Sequence, residues 1–427
     1  MSVADAPLTE KAPASDRKKF GVIAAFSVAH EVPAALGTIM VPTIFVTEFD
    51  MPVEYLGLFA LPLVISAFKW AWAPYVDRTG SDRFGRRLSW IFPSASIVSI
   101  LYVMMALITP SMDTLFAIVA LFALIKLFFS TYEIAADAYV VENLRDDEKG
   151  SGSGAVWFGK EAGQVIGLAG LLFIADVYGW SAAFLAAAGL FASLNLIALA
   201  RKEQPVRARR VDHRATVMAY LKQPVNRRIL LLTFAFAFAV QIPSAIIGPF
   251  LRAKGLTLSE VGATIGIAAS LGAGISLAIA AVTIRRIGIK RMAIVTAVLG
   301  VLALPPFLWL AQSDAPTLAV VLAIIFWGAL MTAPIRMTFY AARLQWTGPD
   351  QAGTDFTLQQ CAWFLGFGAT LAVSGFVAGQ VGWTAVFILN GILVTLVVIT
   401  FVLAHDRFSE QTSQLHRPPA PDVPERL

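Results

Sequence analysis

Lys126, Glu133 and Asp137 are spaced by seven and four residues inside a long apolar run. At 100° per residue a helix brings all three within about 40° of one another, with Ser130 on the same side. A charge in hydrocarbon costs about 2.5–3.5 kcal/mol on insertion scales, so these side chains must face a partner or an internal cavity. A carboxyl so placed can take up and release a proton, and a base on the same face can neutralise an anion. An internal ion-pair brace is the other use of the same residues.

Further ionisable or polar residues stand in apolar surroundings elsewhere. His30 and Glu31 precede Pro33 in the first apolar run, with His30 expected to be a packing residue. Lys69 adjoins Trp70, and Lys160 lies in a glycine-rich stretch. Arg336 and Tyr340 fall in the tenth run, and Gln359, Gln360 and Trp363 in the eleventh. Tyr132 and Tyr139 add aromatic surface, although aromatics in such runs more often pack.

The elements that hold these residues follow from composition. Hydrophobic residues make up 57% of the 427 and charged residues 14%, a balance foreign to soluble globular chains. Crossing about 30 Å of hydrocarbon takes roughly 20 helical residues. Twelve runs of that order are predicted, at about 20–46, 54–76, 88–108, 114–142, 151–176, 180–200, 228–251, 257–284, 290–311, 316–345, 354–378 and 382–404. They are apolar on all sides, unlike the alternating strands of a membrane barrel, so an all-α membrane protein is expected. The polar start of the chain has no apolar core of a cleaved signal, and the first run should itself direct insertion.

Basic residues fall in alternate loops: Arg17, Lys18 and Lys19; Arg78, Arg83, Arg86 and Arg87; the stretch from Arg201 to Arg228; and Arg285, Arg286, Lys290 and Arg291. The positive-inside rule makes those loops and both termini cytoplasmic. The net charge of +5 then reflects orientation and contact with anionic lipid, and no nucleic-acid partner is implied.

A register of 203 relates the two parts of the chain. It superimposes Gly85 on Gly288, Gly150 on Gly353, Gly163 on Gly366, and Gly179-Trp180 on Gly382-Trp383. Two six-span halves are therefore expected, residues 20–200 and 228–404, joined by a basic linker 201–227 and flanked by tails 1–19 and 405–427. In this register Glu133 corresponds to Arg336, so the two should face the same path.

This plan resembles the major facilitator superfamily. The stretch Pro74-Tyr75-Val76-Asp77-Arg78 followed by Asp82-Arg83-Phe84-Gly85-Arg86-Arg87 is similar to the loop that in that family latches the halves in one state. The resemblance implies a gating latch made by Asp77 or Asp82 with Arg78, Arg83, Gly85, Arg86 and Arg87. Ala73 stands where the family pattern has glycine, and extra residues separate Asp77 from Gly85.

Three further stretches, Lys69-Trp70-Ala71-Trp72-Ala73-Pro74, Glu133-Ile134-Ala135-Ala136-Asp137-Ala138-Tyr139 and Gly353-Thr354-Asp355-Phe356-Thr357-Leu358, look like the branch holding AmpG-like muropeptide permeases and RhtX/FptX-like siderophore importers. The length of the chain favours the siderophore importers. The resemblance implies an importer of the bacterial inner membrane that works by alternating access, and the intramembrane charges lead us to expect a monomeric, proton-coupled carrier of a small solute with anionic groups. Glu133, Asp137 and Glu31 would carry the coupling proton. Lys126, Lys160, Arg336 and Lys69, with Tyr340, Trp363, Gln359 and Gln360, would meet the cargo. Muropeptide import, drug or metabolite efflux, and a non-transporting assembly factor on the same fold are the alternatives.

Other classes lack their signatures. The sequence has no G-x-x-x-x-G-K-[ST] phosphate loop, no G-x-S-x-G elbow and no cofactor fingerprint. Its one cysteine, Cys361, has no intrachain partner for a disulfide or a thiolate metal site. No enzyme activity, cofactor or metal is expected.

Overall fold

The computed structural model describes residues 18–81, 84–143, 156, 159–197, 213–314, 316–347 and 352–415. Among these, apolar helical stretches long enough to cross a membrane run over Lys19–Glu48, Val53–Ala71, Leu88–Leu107, Leu115–Val140, Gly159–Leu196, Pro224–Ala253, Leu258–Ile284, Ile289–Gln312, Leu318–Gln345, Asp355–Val381 and Trp383–Leu415. The fifth has 38 residues, too many for one crossing. Gly179 breaks it, with φ 83° and ψ −180°, and it makes two spans, 159–178 and 180–196. The twelve crossings are named α1 to α12 in chain order.

Glycines of the 203 register adopt matching backbone conformations. Gly179 and Gly382 have φ of 83° and 96°, and Gly85 and Gly288 have 96° and 81°. Only glycine enters this left-handed region without steric cost, so each pair ends or begins a helix at an equivalent place. Gly163 and Gly366 match by contact: a Cβ on Gly163 would lie 2.7 Å from the Val28 carbonyl oxygen of α1, and one on Gly366 would lie 2.3 Å from the Phe234 carbonyl oxygen of α7. Absent side chains let α5 approach α1 as α11 approaches α7. Gly150, in the fourth pair, lies outside the described residues.

Helix packing repeats the same symmetry. Within the halves α3 packs on α4 as α9 packs on α10, and α2 on α4 as α8 on α10. Between them α2 packs on α11, α5 on α8 and α1 on α7. Advancing every index by six exchanges the first two pairs and returns the third, the signature of a two-fold relation between six-helix bundles. The helices at this seam carry the π-helical turns Ala35–Met40, Val165–Gly170 and Thr264–Ala268, local widenings that often mark functional sites.

At the end away from the basic loops the halves are tied by polar pairs. Gln380 of α11 donates to Glu54 of α2 at 2.9 Å, and Ser259 of α8 donates to Asp176 of α5 at 2.6 Å. Arg252 of α7 lies 3.5 Å from Glu48 of α1. Small residues allow the approach, since a Cβ on Gly57 would stand 3.1 Å from that of Ala372.

Two helices depart from the expected bounds. Span α2 stops at Ala71, and a separate short helix, Ala73–Arg78, follows it. The helix of α12 continues to Leu415, so the first residues of the tail, 405–415, are helical; residues 198–200, where α6 was expected to end, lie outside the described residues. The extension is anchored where Trp346 donates to Ser409 at 3.1 Å and Phe408 is buried.

Candidate functional site

Glu133 of α4 is the centre of a buried ionic cluster, with 2% of its side chain exposed. Its Oε1 lies 2.8 Å from His30 Nε2 of α1 and 3.7 Å from Lys126 Nζ, and its Oε2 lies 3.7 Å from Lys69 Nζ of α2. The lysines stand at ion-pair distance but beyond hydrogen-bond range, and Oε2 has no hydrogen-bond donor. His30 Nδ1 in turn is 3.3 Å from Glu31 Oε1.

The sequence places each member where the helices meet. Glu133 lies two turns from Lys126 on one face of α4, and α4 packs on both α1 and α2. Ser66 and Ser130 hydrogen bond at 2.9 Å, and Trp72 donates to Thr131 at 3.1 Å, which fixes α2 against α4 beside the cluster. A charge removed from water is tolerated only when paired, and one carboxylate shared by two lysines and an imidazole meets that condition.

The expected residues do not all converge here. Lys160 of α5 stands within the electrostatic reach of His30 and Glu31. Asp137 is exposed, within the reach of Lys69. The helical spacing that grouped it with Glu133 is correct, but a further turn carries it out of the buried zone. Tyr132 and Tyr139 are fully buried against Phe26 and serve packing. His30, expected to be a packing residue, is the tightest partner of Glu133.

Arg336 does not mirror Glu133 in its surroundings, although it holds the equivalent position. It is exposed and borders a cavity of about 510 Å³ in the second half, whose walls include Phe307, Ile325 and Phe387. Glu161 of α5 faces it electrostatically across the halves. Glu161 was not singled out in the sequence, where Lys160 beside it drew the attention.

The polar residues of α11 organise around an arginine that was also not singled out. Arg343, buried, donates to Gln359 at 3.2 Å and to Gln360 at 3.1 Å, and its guanidinium lies 4.8 Å from the ring of Phe356 and 5.8 Å from that of Trp363. Tyr340 packs edge-on against Phe356 at 5.5 Å. Gln359, Gln360 and Trp363 therefore hold Arg343 in place. The available signal was the seven-residue spacing from Arg336, which puts both arginines on one side of α10.

The latch residues are partly described. Gly85 forms a bridge with Ser81, and Arg87 is buried while Arg86 is half-buried. The backbone of Asp77 and Arg78 closes the short helix after α2. Asp82 and Arg83 lie outside the described residues. Among the described residues, no group of three or more His, Cys, Asp or Glu side chains is arranged to hold a metal ion.

Twelve crossings in two equivalent halves, with a buried ionic cluster beside their seam, define a multi-pass membrane transporter. The chain belongs to the Major Facilitator Superfamily, whose family profile matches residues 22–345. It is 23% identical over 370 residues to a putative transporter AmpG 4 of Rickettsia conorii, covering 82% of this chain and 88% of that one. The anhydromuropeptide permease of Escherichia coli is 26% identical over 155 residues, 36% of this chain and 31% of the permease. A POT family transporter solved with 5-aminolevulinic acid superimposes with a TM-score of 0.68 at 11% identity, covering 92% of this chain and 96% of the other, which speaks for the fold alone.

Proposed function

We propose that this transporter is a proton-coupled importer of an anionic muropeptide-type solute in the bacterial inner membrane. It acts as a monomer with both termini cytoplasmic. The halves 20–200 and 228–404 alternate access, the linker 201–227 joins them, and the loop from Asp77 to Arg87 latches them.

The observation that carries this reading is the buried Glu133 carboxylate, held between His30, Lys69 and Lys126 with one oxygen lacking a hydrogen bond. With Glu133 ionised, the lysines are occupied by it. When Oε2 takes a proton, both lysines are released to a carboxylate of the cargo. Anion and proton enter together, so the cluster keeps its net charge and the loaded halves reorient without an added unpaired charge in a region of low dielectric. His30, bracketed by Glu133 and Glu31, can pass the proton on.

The relatives support the cargo class. Of the two cargoes in the branch resembled, the name of the Escherichia coli relative carries muropeptide transport, and nothing in the cluster selects an iron chelate, so the siderophore expectation gives way to the muropeptide one. Import is the direction that goes with this scheme, because anion and proton move together and an inwardly directed proton gradient then drives uptake.

The test is transport in proteoliposomes with a labelled anhydromuropeptide. Glu133→Gln should abolish accumulation driven by a pH gradient while preserving counterflow, which needs binding and reorientation but no net proton movement. Accumulation equal to that of the unmodified protein would overturn the coupling role, and no counterflow of the muropeptide by the unmodified protein would overturn the cargo.

A further inference from the structure

Phe364 of α11 is an aromatic ring that the two buried lysines of the opposite half share. Lys69 Nζ and Lys126 Nζ each lie 5.5 Å from its centroid, while Lys126 is also 4.6 Å from Phe129 of its own helix. Each lysine also stands 3.7 Å from a different oxygen of Glu133. The ring packs against a hydrophobic core that is continuous across the two halves. An ammonium over an aromatic face is attracted by the ring quadrupole, most strongly where water is excluded. The ring thus adds to the carboxylate in stabilising the two ammonium groups.

The charged and titratable groups facing this arrangement come from every neighbouring helix: His30 and Glu31 on α1, Asp137 on α4, Lys160 on α5 and Cys361 on α11. Cys361 lies one turn from Phe364, stands beside the Trp70 backbone and is buried. Its sulfur therefore sits in the α2–α11 seam next to the lysines, and its accessibility reports on whether that seam is closed.

We propose that Phe364 is a positioning residue that converts the charge state of Glu133 into closure of the α2–α11 seam. With Glu133 ionised, Lys69 and Lys126 are held between the carboxylate and the ring, and the halves are clamped. When Glu133 is neutralised, the lysines repel one another, leave the ring and release the seam. This inference rests on the coupling role of Glu133 proposed above.

The experiment measures the maleimide labelling rate of Cys361, the chain's one cysteine, at a single pH in the full-length protein reconstituted without cargo. Glu133→Gln is expected to raise the rate roughly tenfold, the scale of one desolvated cation–π contact. Phe364→Leu, which keeps apolar bulk and removes the quadrupole, should raise it equally, and the double variant should go no higher. Phe364→Trp should label like the unmodified chain. The proposal is overturned if Phe364→Leu labels at the unmodified rate, if the two effects multiply in the double variant, if Phe364→Trp labels as fast as Phe364→Leu, or if Glu133→Gln leaves the rate unchanged. Loss of accumulation with counterflow retained in Glu133→Gln stands as a separate measurement, so the clamp can fail while the coupling role survives.

Discussion

His30 Nε2 lies 2.8 Å from Glu133 Oε1, joining α1 to α4 in the interior of the first half. Its other ring nitrogen is 3.3 Å from Glu31. Carboxylates thus bracket the ring from both sides. An imidazolium donates to both, whereas a neutral ring donates to one, and the tautomer chooses which. The ring can therefore hold a proton against either acid, which is the geometry that the proposed proton path through Glu133 requires of it.

A hydrogen bond to a charged group is worth about 1.5–3 kcal/mol. His30→Ala is accordingly expected to lower gradient-driven accumulation tenfold or more. His30→Gln keeps an N–H within reach of Glu133 and should recover part of that loss. Transport assays of the two variants side by side check this, and equal losses would assign the effect to the titrating ring instead of the hydrogen bond.

Lys69 and Lys126 should show the penalty of an abandoned charge. Breaking a buried ion pair by removing one side costs about 3–5 kcal/mol, whereas removing both sides is often neutral. The variant with Lys69→Met and Lys126→Met is expected to unfold at a clearly lower temperature in detergent, and adding Glu133→Gln should bring the transition most of the way back. Neither variant should accumulate cargo. A triple variant as unstable as the double would show that the lysines act through packing alone.

The fold was legible because its landmarks are backbone requirements. Gly85, Gly179, Gly288 and Gly382 must enter positive φ, and Gly163 and Gly366 must let a neighbouring helix close in, so the register of 203 survived where side chains had diverged. Glu133 and its lysines were legible for a related reason, since charge in hydrocarbon demands a partner. Arg343 was not: near the end of its span it resembles any orienting arginine, and only the three-dimensional convergence of Gln359, Gln360, Phe356 and Trp363 sets it apart. The separation of Asp137 from Glu133 was equally hidden, because helical spacing fixes direction around the axis but not depth of burial.

The close approach at equivalent glycines yields a paired expectation. Gly163→Ala and Gly366→Ala each push a Cβ against a carbonyl oxygen of the facing helix, and overpacking of this kind costs about 1–3 kcal/mol. Gly189→Ala is the control, because nothing lies within 4 Å of its Cβ position and alanine favours the helix by about 0.5–1 kcal/mol. Thermal unfolding should rank Gly189→Ala at or above the unmodified protein and the other two below it. A neutral Gly163→Ala would contradict the α1–α5 contact.

The seam between α2 and α11 supplies a direct test of alternating access. A Cβ on Gly57 would stand 3.1 Å from the Cβ of Ala372, close to the ~3.5–4.5 Å that disulfides span. With Cys361 replaced by Ser, the pair Gly57→Cys and Ala372→Cys should cross-link on mild oxidation. The cross-link would lie at the end already tied by Glu54 with Gln380 and Asp176 with Ser259. It would hold that end shut, and an alternating carrier cannot turn over with one end locked. Uptake is therefore expected to fall on oxidation in proportion to the cross-linked fraction and to return on reduction. Uptake that persists in quantitatively cross-linked protein would mean that this end never opens, and the path across the membrane would then have to avoid the seam between the halves.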